Sequence, residues 1–475
     1  MSRRGVCSRV VIWPTYLAFV LGCLSLQLNA AEAVRDAATT RPNILIILAD
    51  DMGYGDLSVQ GHPVLRTPHI DDLAQHGQRW TSFYASSPLC NPSRIALMTG
   101  RMPIRIQGTG KNSWSALPED ELTLGELLKQ QGYSTAYIGK WGMSGRFEQG
   151  GRHPNDAGFD YFYGVEDFND GGRRADLAGT YENIKNSVSE DYSFSLFRQK
   201  QAIENPTQQP TLTKRYTEES VAWLNKQDGD QPFFLFVGHT MPHVPVFSSE
   251  QFRGHSNAGV YGDVVEELDW SVGELVTTLR KRGLLEDTLI VFSSDNGPWL
   301  TYYDIGGSPG PFRDGKHTAW EGGFRVPAIF HWPGRITPSV IRDLGTQVDL
   351  FATIATIVGA DLSEHRILDS LDLSRTLLER QPSERREWFY YATNGDLWAA
   401  RMGRYKLVLE SWDSVAREGE LSEWRGFGNH VRHDPPQLFD LQTDLAERND
   451  VAAQHPKIVA DIEAAIADYH HSLEP

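Results

Sequence analysis

The sequence predicts an α/β fold: a large, mostly parallel mixed sheet sandwiched by helices, with a smaller α+β domain at the C-terminal end. Three observations carry this reading. Short continuous apolar runs recur along the chain, helical stretches lie between them, and beyond Asp361 the pattern changes to a hairpin and a terminal helix.

Taken in order, the first element is not part of the fold. Arg3, Arg4 and Arg9 precede an apolar run from Val10 to about Leu28 and the small residues Ala30, Ala31 and Ala33, the layout of a cleavable secretory signal over residues 1–31. Pro14 and the alanine-rich end argue against a retained membrane anchor. Val20 to Cys23 forms a passable lipobox, but the apolar continuation Leu24 to Leu28 argues against lipid attachment at Cys23. The expected location is periplasmic or extracellular, with no stable membrane span.

Asn43 to Ala49, Phe233 to Val237 and Leu289 to Phe292 read as strands buried on both faces, with Thr135 to Ile138 a weaker fourth. Pro68 to His76 reads as a helix with Thr67 as its N-cap, and Thr123 to Gln131 as another that Gly132 ends. Each strand run is followed by polar residues: Asp50-Asp51, Gly139-Lys140, His239 and His243, and Asp295-Asn296. In a parallel sheet those carboxyl ends share one edge, where α/β folds bind ligands. Residues 150–215, rich in Gly, Asp, Asn and Gln with weak periodicity, read as long surface loops. The expected organisation is a catalytic domain over 41–360, a connecting segment over 361–388 and a C-terminal subdomain over 389–475. In that subdomain Leu397 to Leu409 forms a hairpin, and Pro456 to His470 a helix with Ile458, Ile462, Ala465, Ile466 and Tyr469 on one face.

Cleavage near Ala31 removes Cys7 and Cys23, so of three cysteines only Cys90 remains and no internal disulfide can form. It also removes three of 45 basic residues, leaving 42 against 62 acidic ones, a net charge of −20. That balance excludes a nucleic-acid binder, and an anionic substrate would need local cations to overcome the global field. Asn91 and Asn205 begin Asn-x-Ser/Thr triplets that proline blocks, so neither is a glycosylation signal.

Pro92 places Cys90 at the start of a helix running to Thr99, beside free N–H groups that bind anions and depress a thiol pKa, and Arg94 adds a fork for oxyanions. From the residues alone Cys90 is thus a candidate thiolate nucleophile for a phosphate or sulfate ester. The C-x3-R spacing does not fit the C-x5-R loop of tyrosine phosphatases. Asp50, Asp51, Asp295 and Asn296 offer hard oxygen ligands of the kind calcium or magnesium takes.

Cys90-Asn91-Pro92-Ser93-Arg94 followed by Thr99-Gly100-Arg101 resembles the C-x-P-S-R…T-G-R signature of type I, formylglycine-dependent sulfatases. The resemblance extends over Pro42-Asn43, Asp50-Asp51-Met52-Gly53, Gly139-Lys140-Trp141, Pro242-His243-Val244-Pro245, Ser294-Asp295-Asn296-Gly297, Gly315-Lys316 and Glu321-Gly322-Gly323. It reaches Gln347 to Leu350 and Leu438 to Leu441, and leans towards the arylsulfatase A and N-acetylgalactosamine-6-sulfatase branch of the alkaline-phosphatase-like superfamily. It implies that a maturation enzyme oxidises Cys90 to formylglycine, an aldehyde whose hydrate attacks sulfur. By the same resemblance Asp50, Asp51, Asp295, Asn296 and the modified Cys90 would hold Ca²⁺, with Mg²⁺ the lesser candidate. Asp295 would also accept the nucleophile's proton, Arg94 and Lys140 would fix the nucleophile, and Lys316 and His243 would contact sulfate and protonate the departing oxygen.

The chain departs from that pattern at Gly142, where the family carries a histidine after G-K-W; His317 and Lys140 are the candidate substitutes. The expected substrate is a sulfated carbohydrate or aryl sulfate, with Phe168, Asn169, Asp170, Arg173, Arg174, Trp299 and Tyr302 as candidate sugar contacts. The alternatives are a phosphodiesterase or phosphonate hydrolase of the same superfamily, and a degenerate sulfatase that binds sulfated glycans without turnover.

Overall fold

The computed structural model describes residues 41–107, 116–362, 367–392, 395–414 and 430–473. The expected signal segment and the lipobox at Cys23 lie outside them. Among the described residues no helix is long and apolar enough to cross a membrane.

The strands are β1 (Asn43–Ala49), β2 (Gln78–Trp80), β3 (Phe83–Tyr84), β4 (Ser134–Lys140), β5 (Tyr161–Val165), β6 (Leu196–Arg198), β7 (Gln201–Glu204) and β8 (Phe233–Gly238). They continue with β9 (Thr288–Ser294), β10 (Ala328–His331), β11 (Ser339–Ile341), β12 (Gly345–Thr346), β13 (Glu387–Tyr391), β14 (Leu397–Met402), β15 (Tyr405–Ser411) and β16 (Val431–Asp440). Ten form one sheet in the order β11-β2-β10-β9-β1-β8-β4-β5-β6-β7. Its centre, β9-β1-β8-β4-β5, is parallel throughout, whereas β10, β6 and β7 pair antiparallel with their neighbours.

The continuous apolar run of β1 follows from its place in the middle of this sheet. Ile44, Ile46 and Leu48 pack into one core with Ile95 and Met98 of the Cys90–Thr99 helix and Leu350 and Ile354 of the Asp349–Val358 helix. Leu45, Ile47 and Ala49 pack into a second core with Leu73 of the Pro68–Gln75 helix, Tyr216 of the Leu212–Leu224 helix and Leu268 of the Gly259–Lys281 helix. Successive side chains point to opposite faces, and both faces are covered.

The Pro68–Gln75 helix forms as expected, but its cap does not. Thr67 holds the N-cap position without a capping bond, and its hydroxyl donates to Asp71 Oδ1 (3.0 Å). The exposed N–H groups of His69 and Ile70 donate instead to Asp269 Oδ1, at 3.1 and 2.8 Å, a carboxylate on the Gly259–Lys281 helix. Burial pushes the Asp269 pKa up to about 7, against the pull of those two N–H groups. A carboxyl raised in this way stabilises the fold fully below its unfolded pKa near 3.8, and the contribution is lost as pH rises towards 7. Asp269→Asn, which keeps a carbonyl acceptor, is therefore expected to flatten the fall in Tm between pH 4 and 7. Asp269→Ala is expected to cost about 1 kcal/mol near pH 4 for the lost cap, and less as pH rises towards 7. Thermal melts across that range check both.

Residues 150–215 contain more than loops: β5, β6 and β7 extend the sheet. Their alternation is weak because β7 lies at the sheet edge and is mostly exposed, so one buried face does not dictate its side chains.

At the C-terminal end β13-β14-β15-β16 make a separate antiparallel sheet, with the expected hairpin turning at Gly403. The Pro456–Ser472 helix packs on it through fully buried Ile462, with partly buried Ile458, Ile466 and Tyr469 beside it. This core also contains Tyr84, Trp320 and Phe324 from the larger part of the molecule. In the connecting segment Leu373 and Leu377 reach the main core, and Asp369 accepts from the Arg105 guanidinium.

Candidate active site

Parallel pairing puts the carboxyl ends of β1, β8, β4 and β9 side by side, with Ala49 opposite Ser294 and both Leu48 and Gly139 opposite Gly238. The strands approach closely at Gly139 (φ 115°), where a Cβ would lie 1.9 Å from the Gly238 carbonyl oxygen, so only glycine lets β4 deliver Lys140 there.

At this edge the charged groups are buried and paired. Lys140 Nζ donates to Asp50 Oδ2 (2.5 Å), and Lys316 Nζ donates to both oxygens of Asp51 (2.7 Å each). Arg94 Nε donates to Asp295 Oδ2 (2.8 Å), while its Nη1 donates to the Lys140 carbonyl (2.8 Å) and to Tyr137 Oη (3.4 Å). Asp51 is in the left-handed region (φ 62°), a conformation costing about 1–2 kcal/mol. Its N–H is held by Asp295 Oδ1 (3.1 Å), and its Oδ1 accepts from Asn296 Nδ2 (2.7 Å). Burial acts against the charge on Lys140, Lys316 and Arg94, but Asp50, Asp51 and Asp295 respectively outweigh it and hold each pKa above its ordinary value.

Cys90 opens its helix within this cluster, 2% exposed. The expected depression of its pKa is overturned: burial pushes the thiol up to about 11, Lys140 and Lys316 pull it down only in part, and Asp50 and Asp295 push it further up. Desolvation exceeds the helix-end effect, so at neutral pH the side chain is a neutral thiol, not a thiolate nucleophile.

Oxygen or sulfur atoms of Asp50, Cys90 and Asp295 lie within 4.8 Å of one another. Asp50 Oδ1 and Asn296 Oδ1 are buried acceptors with no hydrogen-bond donor among the described residues. Burial, the largest effect, raises the pKa of Asp51 and Asp295. Buried oxygen donors with unfilled lone pairs fit a hard divalent cation. Three carboxylates balance Arg94, Lys140 and Lys316, so a dication would leave the cluster positive and suited to an anionic ester.

His243 lies at the rim, with Nε2 3.6 Å from Asp51 Oδ2. Its Nδ1 faces two acceptors, the Val244 carbonyl (2.6 Å) and Asn169 Oδ1 (3.0 Å), which fixes the proton on Nδ1. The Asn169 amide is oriented in turn by donating to the Pro245 carbonyl (2.9 Å) and Gln209 Oε1 (3.2 Å). Burial, then Lys316 and Lys140, lower the His243 pKa well below its ordinary value, so the ring is neutral and Nε2 carries a lone pair. Buried Trp299 stacks over Lys316 Nζ (4.3 Å) and lies against the rings of His243 (5.5 Å) and His317 (5.3 Å).

The remaining candidates are placed differently. Arg174 lies at the surface, paired with Asp176 and Asp191, and Arg173 is tucked against Gly179. Gly142 has φ 66°, and a Cβ there would meet Lys140 Cε at 3.0 Å and Arg94 Cδ at 3.2 Å. Its carbonyl accepts from Asn91 Nδ2 (2.9 Å), so the position faces the cluster even without a side chain. Sequence reasoning missed two orienting groups. Tyr137 lay inside an apolar run, with nothing to mark its hydroxyl as a partner of the Lys140 carbonyl (2.6 Å), and Asn169 read as a sugar contact although it holds His243.

The loop that carries Lys316 is held from the C-terminal sheet. Lys406 Nζ donates to the Ala319 carbonyl (2.8 Å), Glu447 Oε2 accepts from Glu321 N (2.7 Å), and Asp314 Oδ2 accepts from Ser414 N (3.0 Å).

The Sulfatase family matches residues 42–360, and the C-terminal region of aryl-sulfatase matches residues 383–475. Arylsulfatase A of Bos taurus is 39% identical over 435 residues, covering 88% of this chain and 85% of that protein. N-acetylgalactosamine-6-sulfatase of Mus musculus is 38% identical over 453 residues, covering 90% and 85%. Among solved structures, the PsFucS1 sulfatase from Pseudoalteromonas sp. superposes with a TM-score of 0.76 at 29% identity, covering 92% of each chain. Matches of this extent, over a sheet edge that gathers buried aspartates, a buried cysteine and two lysines, show that the chain belongs to the sulfatase family.

Proposed function

We propose that the chain removes sulfate from a sulfated carbohydrate, exported from the cytoplasm, with Cys90 converted to formylglycine and Ca²⁺ held by Asp50, Asp51, Asp295 and Asn296. Sulfatases as a family hydrolyse sulfate esters with a formylglycine and a divalent metal. The observation that carries the reading is the burial of a neutral Cys90 thiol beside the carboxylates of Asp50 and Asp295 and the ammonium groups of Lys140 and Lys316. The name of the mouse relative supports an amino-sugar sulfate as one substrate class.

When bound, the metal and the modified side chain supply charge neutralisation at a sulfonate oxygen and an oxygen nucleophile. The chain's own groups do the rest. Arg94 and Lys140 fix Asp295 and Asp50 in place, so the cluster needs little reorganisation as charge moves. Lys316 stays protonated and keeps one N–H beyond the two given to Asp51, which makes it the proton donor for the departing oxygen. Neutral His243 has its lone pair, not a proton, on Nε2, so the expected protonation of the departing oxygen falls to Lys316 alone.

Paired aryl esters test the reaction class: sulfate release well above phosphate release is expected, and the reverse would replace this reading with the phosphoryl-transfer alternative. A panel of sulfated mono- and oligosaccharides then fixes the sugar and the sulfate position. Removal of metal by a chelator is expected to abolish turnover and lower Tm, because bound ion at about 1,000 times its Kd contributes about 4 kcal/mol. Calcium is expected to restore both more fully than magnesium, since the cluster offers protein oxygens and Mg²⁺ retains its waters.

A further inference from the structure

We propose that a second cleft, separate from the catalytic cluster, holds the chain of a sulfated polysaccharide while the cluster works on it. This rests on the reading that the substrate is a sulfated carbohydrate. The cleft has a volume of about 660 Å³, within the range that receives ligands. Arg325, Arg342, Arg385, Arg386, Arg401 and Arg404 line it, with Asp343 as the single carboxylate; Asp50, Asp51, Cys90, Lys140 and Lys316 do not.

Three of these arginines are committed to carboxylates elsewhere: Arg325 to Glu321, Arg385 to Asp349 and Arg404 to Asp440. Asp343 Oδ2 accepts from Ser383 N (3.0 Å). Arg401 is buried, and its bonds go to neutral groups, the Tyr84 hydroxyl and the Gly403 carbonyl. Arg342 and Arg386 are exposed, and neither is paired with a carboxylate among the described residues. Arg401 also faces the buried Glu321 carboxylate, so two guanidinium charges, those of Arg342 and Arg386, stand without a carboxylate partner among the described residues in one concavity of a chain whose net charge is −17.

That concentration matters because the global field repels a polyanion, and a local cationic cleft is what retains one. Guanidinium is also the side chain suited to planar, bidentate bonding with oxyanions. One wall is aromatic, with Tyr54 and Phe312 edge to face at 4.7 Å and Arg325 over the Phe312 ring at 4.3 Å. Ring faces beside cations suit a sulfated sugar better than a bare anion. The wall also adjoins the catalytic segments: Gly55 N, in the loop after Asp51, donates to the Ser308 carbonyl (2.9 Å), in the loop that leads to Lys316.

The test uses the full chain and the double variant R342E/R386E, both substitutions at exposed positions, with Tm as the check on folding. Affinity electrophoresis against dextran sulfate and unsulfated dextran reads binding without turnover, so this result stands apart from whether sulfate release is found. The expected result is retention by dextran sulfate but not dextran, at least tenfold weaker in the double variant, with kcat/KM on an aryl sulfate unchanged. Equal retention of wild type and variant would overturn the proposal. Displacement of dextran sulfate by polyphosphate at equal charge concentration would overturn its assignment to a glycan and leave a general polyanion surface.

Discussion

Replacing Cys90 with alanine is expected to remove sulfate-ester turnover by about 10⁶-fold, the scale on which enzymes lose activity when their nucleophile is deleted. The side chain is buried at the start of a helix that Pro92 and the apolar residues Ile95, Ala96 and Met98 maintain, so the fold does not depend on its sulfur. Tm of the variant is expected to stay within about 1 kcal/mol equivalent of wild type, the range of a small buried change. Steady-state assay with an aryl sulfate, beside a thermal melt, separates lost chemistry from lost structure. Mass spectrometry of the Cys90 peptide is the companion measurement. A fully active enzyme whose peptide still carries an unmodified thiol would contradict the assignment, because a thiol with its pKa near 11 supplies almost no nucleophile at neutral pH.

Lys316→Ala is expected to lower kcat by about 10²–10³-fold, as deleting one preorganised electrostatic group does. Its ammonium binds both oxygens of Asp51 and lies 4.3 Å from the centre of the Trp299 ring, so alanine removes both contacts together with the charge. Metal-free variant is also expected to lose about 3–5 kcal/mol of stability, since Asp51 is left buried without its partner. Added metal should recover part of that loss in a melt but not the lost kcat. Lys316→Arg keeps the charge and is expected to rescue stability more than turnover, because a guanidinium can pair with Asp51 but, always protonated, is a poor donor of a proton to the departing oxygen. A variant lacking Lys316 with undiminished kcat would remove this side chain from the reaction.

Much of this architecture was readable because it depends on local pattern. β1 has the bounds its apolar run indicates, and the expected helix over Thr123 to Gln131 forms as Leu124–Gln130. The cluster at the sheet edge was readable for a different reason: polar residues after four apolar runs converge once the strands are parallel. What escaped depends on partners distant in sequence. Asp269 caps a helix some 200 residues before it, and no property of the Thr67 segment announces that. The Cys90 pKa was read from its helix end alone, whereas its sign is set by how completely the sheet and loops exclude water. β7 has no buried face to betray it.

The grip of Lys406, Ser414 and Glu447 on the stretch around Lys316 bears on how this molecule comes into being. During synthesis the lysine leaves the ribosome well before the strands that seat it, so a nascent chain can close its main sheet and still have its sulfate-side cation adrift. The seat of Lys316 is completed only by residues made near the end of synthesis, together with the core that Trp320 and Phe324 share with the C-terminal strands.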